Sequence, residues 1–544
     1  MDGRRRRPTF EAPAIRRLRR AALPIGLPLA LAAAALGGCA SAQDAIAVRE
    51  TGEIVDGLQR KVRDERSAAA EATAAAAAAK SPRAPRAAEE PVPETVDLRA
   101  ALRVAARRNR DLIRDREGLV LAAVALRNAQ NAVGPRLSGT VRHALADSDV
   151  TEGTVTDSLG LGARMTLPTG AEASISADAA KSRGLGTGAD SAATATLTAK
   201  LSQPLLRGAG YDASHEELTD AERQALYDVR QFELTRQDLA LDVQQSYYGI
   251  VSQKQVVRNR EAKLGSLEFL RRRSERLFEL DRVSEVDKFR AAREYLSAEN
   301  DLVDARQELE ARLDRLKILL GLETSAKLDV EETIPEPRTM QMQLGPAVEI
   351  ALANRLDLMT ARDQVEDAER REGIREREVM PDLRLELTGS RAADGARGVR
   401  DLSPLSRDSY GASLSLELPL DRVRERGALR AARIEVSRAR RELTLVEDRV
   451  VFDVREALRN LRSADSSLKI QEQITASEEK NVKIARLRFE EGTIGNRDLT
   501  DAISNLADAQ DRLVREKANT EVARLRLLRA VGTLTIDEDG TWRD

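Results

Sequence analysis

The stretch "RLRFEEGTIGNRDLTDAISNLADAQDRL", Arg486–Leu513, joins the end of one helical pattern to the start of another through Gly492, Thr493, Ile494 and Gly495. Upstream, Leu443, Val446, Val450, Val454, Leu458 and Leu461 recur at threes and fours; downstream, Leu499, Ile503, Leu506 and Leu513 do the same. That period is helical, and glycine is the residue at which helices most readily stop. The stretch therefore predicts a hairpin of two helices with its tip at Gly492. The ascending helix extends over roughly 68 residues, which at 1.5 Å per residue is a rod of about 100 Å. No compact domain of its own encloses such a rod, so partner helices must cover its apolar seam.

The same hairpin is written earlier in the chain. Val243, Ile250, Val257 and Leu264 repeat at sevens, a break falls at Asp281, and Leu309, Leu313, Leu316 and Leu320 return to Gly321. Asp281 and Gly321 are 40 residues apart, as are Gly492 and Gly532. Each hairpin is preceded by a matching amphipathic segment, "LRAALRVAARRNRDL" from Leu98 and "LGPAVEIALANRLDL" from Leu344, both carrying an Asn-Arg pair. A second helical segment follows in each half and stops at the prolines of "VGPRL" (Val133–Leu137) and "VMPDL" (Val379–Leu383). Spacing matched over this distance argues for a tandem duplication. The interval from Asn109 to Asp281 exceeds that from Asn354 to Gly492 by 34 residues, which places a larger strand region in the first half.

Between the short and long helices, the side chains alternate. Leu159, Leu161, Ala163, Met165 and Leu167 alternate with small or polar residues, and so do Ala195, Leu197, Ala199 and Leu201. The second half has Leu383, Leu385, Leu387, and then Ala412, Leu414, Leu416, Leu418 and Leu420. Each run approaches the ~9–11 residues that cross a bilayer as a tilted strand. Alternation alone suits equally a lipid-facing, water-lined barrel and a sheet half-buried on protein. Rods of ~100 Å rising from the strands favour the barrel, because few strands with a lipid-facing side cannot close within one chain.

Composition agrees with long wet helices. Only 3% of the 544 residues are aromatic while 33% are charged, and Lys+Arg (88) nearly balances Asp+Glu (90), a balance that disfavours a nucleic-acid partner. The two histidines, His143 and His215, are far apart and read as surface residues; no metal-ligand spacing, nucleophile elbow or phosphate loop occurs, so no enzyme and no cofactor is expected. The sole cysteine, Cys39, follows a basic run (Arg4–Arg7, Arg16–Arg20), an apolar run (Ala21–Leu36) and two glycines. This order resembles a bacterial lipoprotein signal with the lipobox Leu36, Gly37, Gly38, Cys39, which implies cleavage before Cys39 and acylation there. Ala40 and Ser41 follow, and the resemblance then favours outer-membrane sorting. The expected organisation is a signal peptide (1–38), a lipidated Ala/Pro-rich tether (39–95), a first repeat (96–340), a second (341–536) and a C-terminal tail (537–544).

The duplicated order, Arg486–Leu513, "QPLLRG" (Gln203–Gly208) and "LPLDRVRERGALRAA" (Leu418–Ala432) resemble the TolC family of outer-membrane efflux proteins. The resemblance covers about Leu98–Leu534. It implies a mainly α fold with membrane β-strands: a homotrimer in which four strands per chain close a twelve-stranded barrel above a long helical periplasmic tunnel. A periplasmic adaptor and an inner-membrane transporter are the implied partners, in tripartite efflux or type I secretion. Asp281, Arg282 and Val283, with Gly492, Thr493 and Ile494, would be the adaptor-contact tips, although Asp281 stands where the family usually has glycine. Asp498 and Asp501 match acidic positions just inside the tunnel entrance, where a ring of carboxylates would form a periplasmic gate. The rival expectation is a lipid-anchored periplasmic coiled-coil scaffold or adaptor without a pore.

Overall fold

Twice along the chain the same series of elements appears, in a computed structural model that describes residues 93–148, 151–184, 191–336, 340, 342–395, 407–491, 493–537 and 539–542. The signal segment, Cys39, the tether up to residue 92 and the glycine expected at the second tip, Gly492, lie outside the described residues. In the first half, α1 (Leu98–Arg108) and α2 (Arg110–Val133) precede the strands, and a single turn α3 (Tyr211–Ser214), α4 (Glu216–Glu279) and α5 (Glu285–Leu319) follow them. In the second, α6 (Leu344–Asn354) and α7 (Leu356–Glu378) precede the strands, and α8 (Val423–Glu490) and α9 (Asn496–Val531) follow. The long helices, α4 with 64 residues and α8 with 68, have the length read from the sequence.

Side-chain packing orders the long helices α5–α4–α9–α8, with α2 lying on α4 and α7 on α8. The seam residues Val243, Ile250, Val450, Val454, Leu316 and Leu320 are completely buried. Each such side chain contributes about 1.5–3 kcal/mol by leaving water. Two cores repeat the duplication: Leu102, Tyr247, Leu316 and Leu320 lie in one, Ala351, Leu358, Leu458 and Leu527 in the other. Faces outside the seam are wet and carry ion pairs one turn apart, such as Arg312–Glu308 at 2.8 Å.

The two closing glycines explain the matched spacing. Gly321 (φ 73°) seats against the joint between α1 and α2, where a Cβ would lie 1.9 Å from the Arg108 carbonyl oxygen. The Asn109 side chain caps α2, accepting from the Leu112 N–H at 2.8 Å, and its amide donates to the Leu319 carbonyl at 2.8 Å. Gly532 (φ 77°) occupies the equivalent place against Arg355, between α6 and α7. The structural counterpart of Asn109 is thus Arg355, one residue beyond the Asn354 that the Asn-Arg pairs align. Arg355 donates to Asp357 at 2.6 Å and to Asp453 of α8 at 2.7 Å.

Six strands, not four, form the large sheet. β2 (Arg136–Ser148), β3 (Thr151–Thr166), β4 (Glu172–Gly184) and β5 (Ser191–Pro204) come from the first half, β7 (Asp382–Gly395) and β8 (Arg407–Glu417) from the second, antiparallel throughout in the order β2-β3-β4-β5-β7-β8. β3, β5, β7 and β8 hold the alternating runs; β2 and β4 are additional to the expected four and account for the longer first half. β2 alternates Leu137, Val141 and Leu145 but is interrupted by Gly139 and His143. β4 presents Ala173, Ile175, Ala177 and Ala179, and alanine is a weak strand former.

The pairing register puts one apolar face across all six strands. Val141 stands opposite Leu159, Ala163 opposite Ile175, Ala177 opposite Leu197, Leu201 opposite Leu387 and Leu385 opposite Leu414. Many of these side chains are bare, with Leu137, Val141 and Tyr410 all more than four-fifths exposed. In the single chain this face curves around a hollow of about 760 Å³ lined by Met165, Ile175, Leu201, Leu387 and Tyr410. The opposite face carries Ser, Thr and Gly with a few ion pairs, among them Lys200–Glu386 between β5 and β7.

Two smaller features close the fold. β1 (Thr95–Val96) pairs in parallel with β6 (Asp329–Val330), so the last residue assigned to the tether already belongs to the folded body. Of the residues set apart as a tail, Trp542 is packed too: it bridges Ile536 of the second repeat and lies against the first core, and Arg236 of α4 donates to the Ile536 carbonyl at 3.1 Å.

Candidate channel mouth at the helical tips

Both hairpins turn at the same end. Leu267 and Leu270 of α4, Ala298 of α5, Val482, Ala485 and Phe489 of α8, and Leu499 and Ala502 of α9 form one buried cluster. Asn496 donates to Ser274 at 2.6 Å, and Arg273 lies 4.4 Å over the Phe489 ring, tying the two tips together. The ends of the two hairpins, from distant stretches of the chain, are thus held together.

The first tip is a helix stop built without glycine. Asp281 takes φ 51°, and the N–H of Arg282 reaches the Leu277 carbonyl at 2.9 Å, the six-to-one bond of a left-handed C-terminal cap. Aspartate is among the few L-residues that visit this conformation, which is why the turn forms where glycine was expected. Ser284 then caps α5, accepting from the Asp287 N–H at 3.2 Å and donating to its carboxylate at 2.6 Å. In the second tip the Thr493 N–H and hydroxyl both donate to the Arg488 carbonyl at 2.9 Å.

The expected contact residues differ in what they offer. Asp281, Arg282 and Thr493 are exposed, whereas Val283 is half-buried. Ile494 is also half-buried and packs into the tip cluster. More apolar surface lies one turn further along α5, where Val286 and Phe289 are 64% and 62% exposed, and at Leu280. Their signal in the sequence is an apolar pair three residues apart that falls outside the seam.

Asp498 and Asp501 are both exposed on the first turns of α9. The Asp498 carboxylate accepts from the Gly495 N–H at 3.2 Å, so it caps the helix whose N-terminus it also favours electrostatically. Asp501 pairs loosely with Arg497 at 3.7 Å. A second acidic site lies deeper. Asp511 of α9 is buried, accepts from Asn259 of α4 and from Arg260 at 3.2 Å, and burial pushes its pKa up against those two partners. Sequence reasoning did not pair these residues, which are 252 positions apart.

The histidines separate. His143 is exposed on β2 beside Asp157 at 2.6 Å. His215, expected at the surface, is buried at the start of α4 and stacks on Tyr211 at 4.4 Å. Among the described residues no group of three His, Cys, Asp or Glu side chains is placed to hold a metal, and no helix is long and apolar enough to cross a membrane.

Residues 347–533 match the family model described as outer membrane efflux protein. The second half of the chain therefore carries the sequence pattern of the outer membrane efflux proteins. No curated protein sequence matches it. Solved structures share the efflux-protein fold at low identity. CusC, crystallised for conformational changes accompanying folding and transmembrane channel formation, matches with TM-score 0.61 and 16% identity over 80% of this chain and 92% of that one. The CmeC outer membrane channel of Campylobacter jejuni matches with TM-score 0.59 and 14% identity over 80% and 85%. The outer membrane protein VceC of Vibrio cholerae matches with TM-score 0.59 and 16% identity over 80% and 96%.

Proposed function

We propose that the chain is the outer-membrane channel of a tripartite efflux or type I secretion system, a homotrimer that conducts cargo passively from periplasm to exterior. The observation that carries this reading is the union of one sheet, apolar on one face and lined with Ser, Thr and Gly on the other, with helical hairpins whose ascending arms are 64 and 68 residues long. A scaffold without a pore has no use for such a sheet. Closure of the barrel by three copies turns the apolar face to the membrane, as the cost of unpaired edges in hydrocarbon requires. The tips form the periplasmic mouth, where an adaptor docks and an inner-membrane transporter supplies the energy. Acyl chains on Cys39 anchor each copy, and Asp498 and Asp501 set the charge of the entrance.

Reconstitution in planar bilayers tests the channel. Discrete conductance together with a heat-modifiable β signal in detergent is expected; a purely helical, non-conducting protein would overturn the reading. For the anchor, Cys39→Ser should abolish labelling by a clickable palmitate, and persistent labelling would refute that assignment alone.

A further inference from the structure

We infer that all six strands of each copy enter the barrel wall, β8 of one copy pairing with β2 of the next, so that a trimer closes on eighteen strands. The inference rests on the outer-membrane channel proposed above. Its alternative is that β2 and β3 form an appendage or plug, leaving a four-stranded contribution from each chain.

The sheet does not divide there. β2 and β3 pair from Arg136↔Arg164 to Ala146↔Thr154, and β3 and β4 pair from Thr154↔Gly184 to Thr166↔Glu172 without a break. All six strands, from 11 to 16 residues, are long enough to cross a bilayer as tilted strands, for which ~9–11 residues suffice. The apolar face continues to its outermost member, where Leu137 and Val141 are 86% and 85% exposed. A water-filled lumen or the aqueous exterior is the wrong solvent for such a row; lipid is the right one. With an even number of strands, β8 of one copy runs antiparallel to β2 of a copy related by rotation about the barrel axis. Both edges lack a strand partner among the described residues, and neither is tolerable in hydrocarbon until paired.

The consequence is a wider exit. Barrel diameter grows roughly linearly with strand number, so eighteen strands give a wall ~1.5 times as wide as twelve at equal tilt, in the range that leaves an aqueous channel. The lumen face, built from Ser158, Gly160, Gly162, Ser176, Thr196 and Thr198, adds little bulk to narrow it. Bulkier cargo would pass the outer membrane without further opening.

Cysteine pairs on the lumen face separate the alternatives. In the full chain, Ser413→Cys of β8 is combined in turn with Ser138→Cys, Thr140→Cys or Arg142→Cys of β2, and separately with Ser176→Cys of β4, with each single variant as control. Oxidation is expected to give covalent dimers and trimers for at least one β8–β2 pair and none for β8–β4. Cross-links confined to β4, or absent from every β2 pair in a conducting trimer, would overturn the inference. Loss of conductance in the parent protein would strike instead at the channel reading itself. A second measurement uses graded polyethylene glycols added from the outer side of a bilayer. The parent should admit polymers of about 1.5-fold larger radius than a variant lacking residues 149–190, which keeps four strands and the direction of each. An equal cut-off would count against the eighteen-stranded wall.

Discussion

At Gly321 and Gly532 the duplicated chain meets itself most tightly, and the two positions should not tolerate a methyl group equally. Both hold left-handed backbone, which costs an L-residue about 1–2 kcal/mol. At Gly321 the added Cβ would also lie 1.9 Å from the Arg108 carbonyl oxygen, whereas at Gly532 the nearest atom is 3.2 Å away. Gly321→Ala should therefore cost more than about 2 kcal/mol, because the joint of α1 and α2 must open, and Gly532→Ala only about 1–2 kcal/mol. Urea midpoints followed by helical circular dichroism measure the difference; equal losses would show that backbone conformation alone matters. Asp281 is the complementary case, a left-handed residue with no glycine. The break there was legible in the sequence, but its left-handed turn, closed by the six-to-one bond from Arg282 to Leu277, was not, because aspartate visits that conformation only occasionally.

The elements were legible to different degrees, for physical reasons. Long helices announce themselves because one apolar seam is repeated over many turns, so Val450, Val454, Leu458 and Leu461 are all found buried as their spacing requires. Strands β2 and β4 were missed since each gives few alternating side chains of any size, although the surplus length of the first half recorded their presence. Both helix breaks fall where the sequence placed them, yet which of the apolar residues beside them face water was not legible, because Ile494 and Phe289 look alike in sequence and only packing separates them. Phe289→Asp or Val286→Asp should weaken cross-linking to a periplasmic adaptor while leaving trimer stability unchanged. Ile494→Asp should destabilise the tip by placing a charge in the cluster around Phe489. If Ile494→Asp alone reduced cross-linking at unaltered stability, the α5 surface would not be the docking site. Between α4 and α9, Asp511 supplies a pH signature. Burial raises its folded-state pKa, so its protonation favours the folded state: the stabilisation is complete below the ordinary carboxylate value of about 3.9 and is lost as pH rises through the raised value. Asp511→Asn should flatten this dependence just above about pH 4, measured as urea midpoints against pH, and an unchanged slope would assign the titration elsewhere.

For the whole molecule, the charge of the mouth decides what an open duct lets in. In the proposed trimer Asp498 and Asp501 would repeat in every copy and gather six carboxylates around one axis, and clustered carboxylates in a narrow aqueous passage draw cations and repel anions. Their local partners weaken the two unequally. Asp498 gives one oxygen to the Gly495 N–H at 3.2 Å, a bond to a neutral donor that leaves its charge in place. Asp501 faces Arg497 at 3.7 Å, which cancels much of its field, though in an exposed pair salt screens that attraction. Asp498→Asn should therefore remove most of the cation preference and most of the block by cobalt hexammine applied from the periplasmic side, while Asp501→Asn alone should change both only slightly. Asparagine keeps the capping oxygen, so the tip should stay folded in either variant. Arg497→Gln should act in the opposite sense, releasing Asp501 and raising cation selectivity. Reversal potentials in a salt gradient read all three variants on one scale; if Asp498→Asn leaves the reversal potential of the parent unchanged, the selective constriction lies deeper in the tunnel than the first turn of α9.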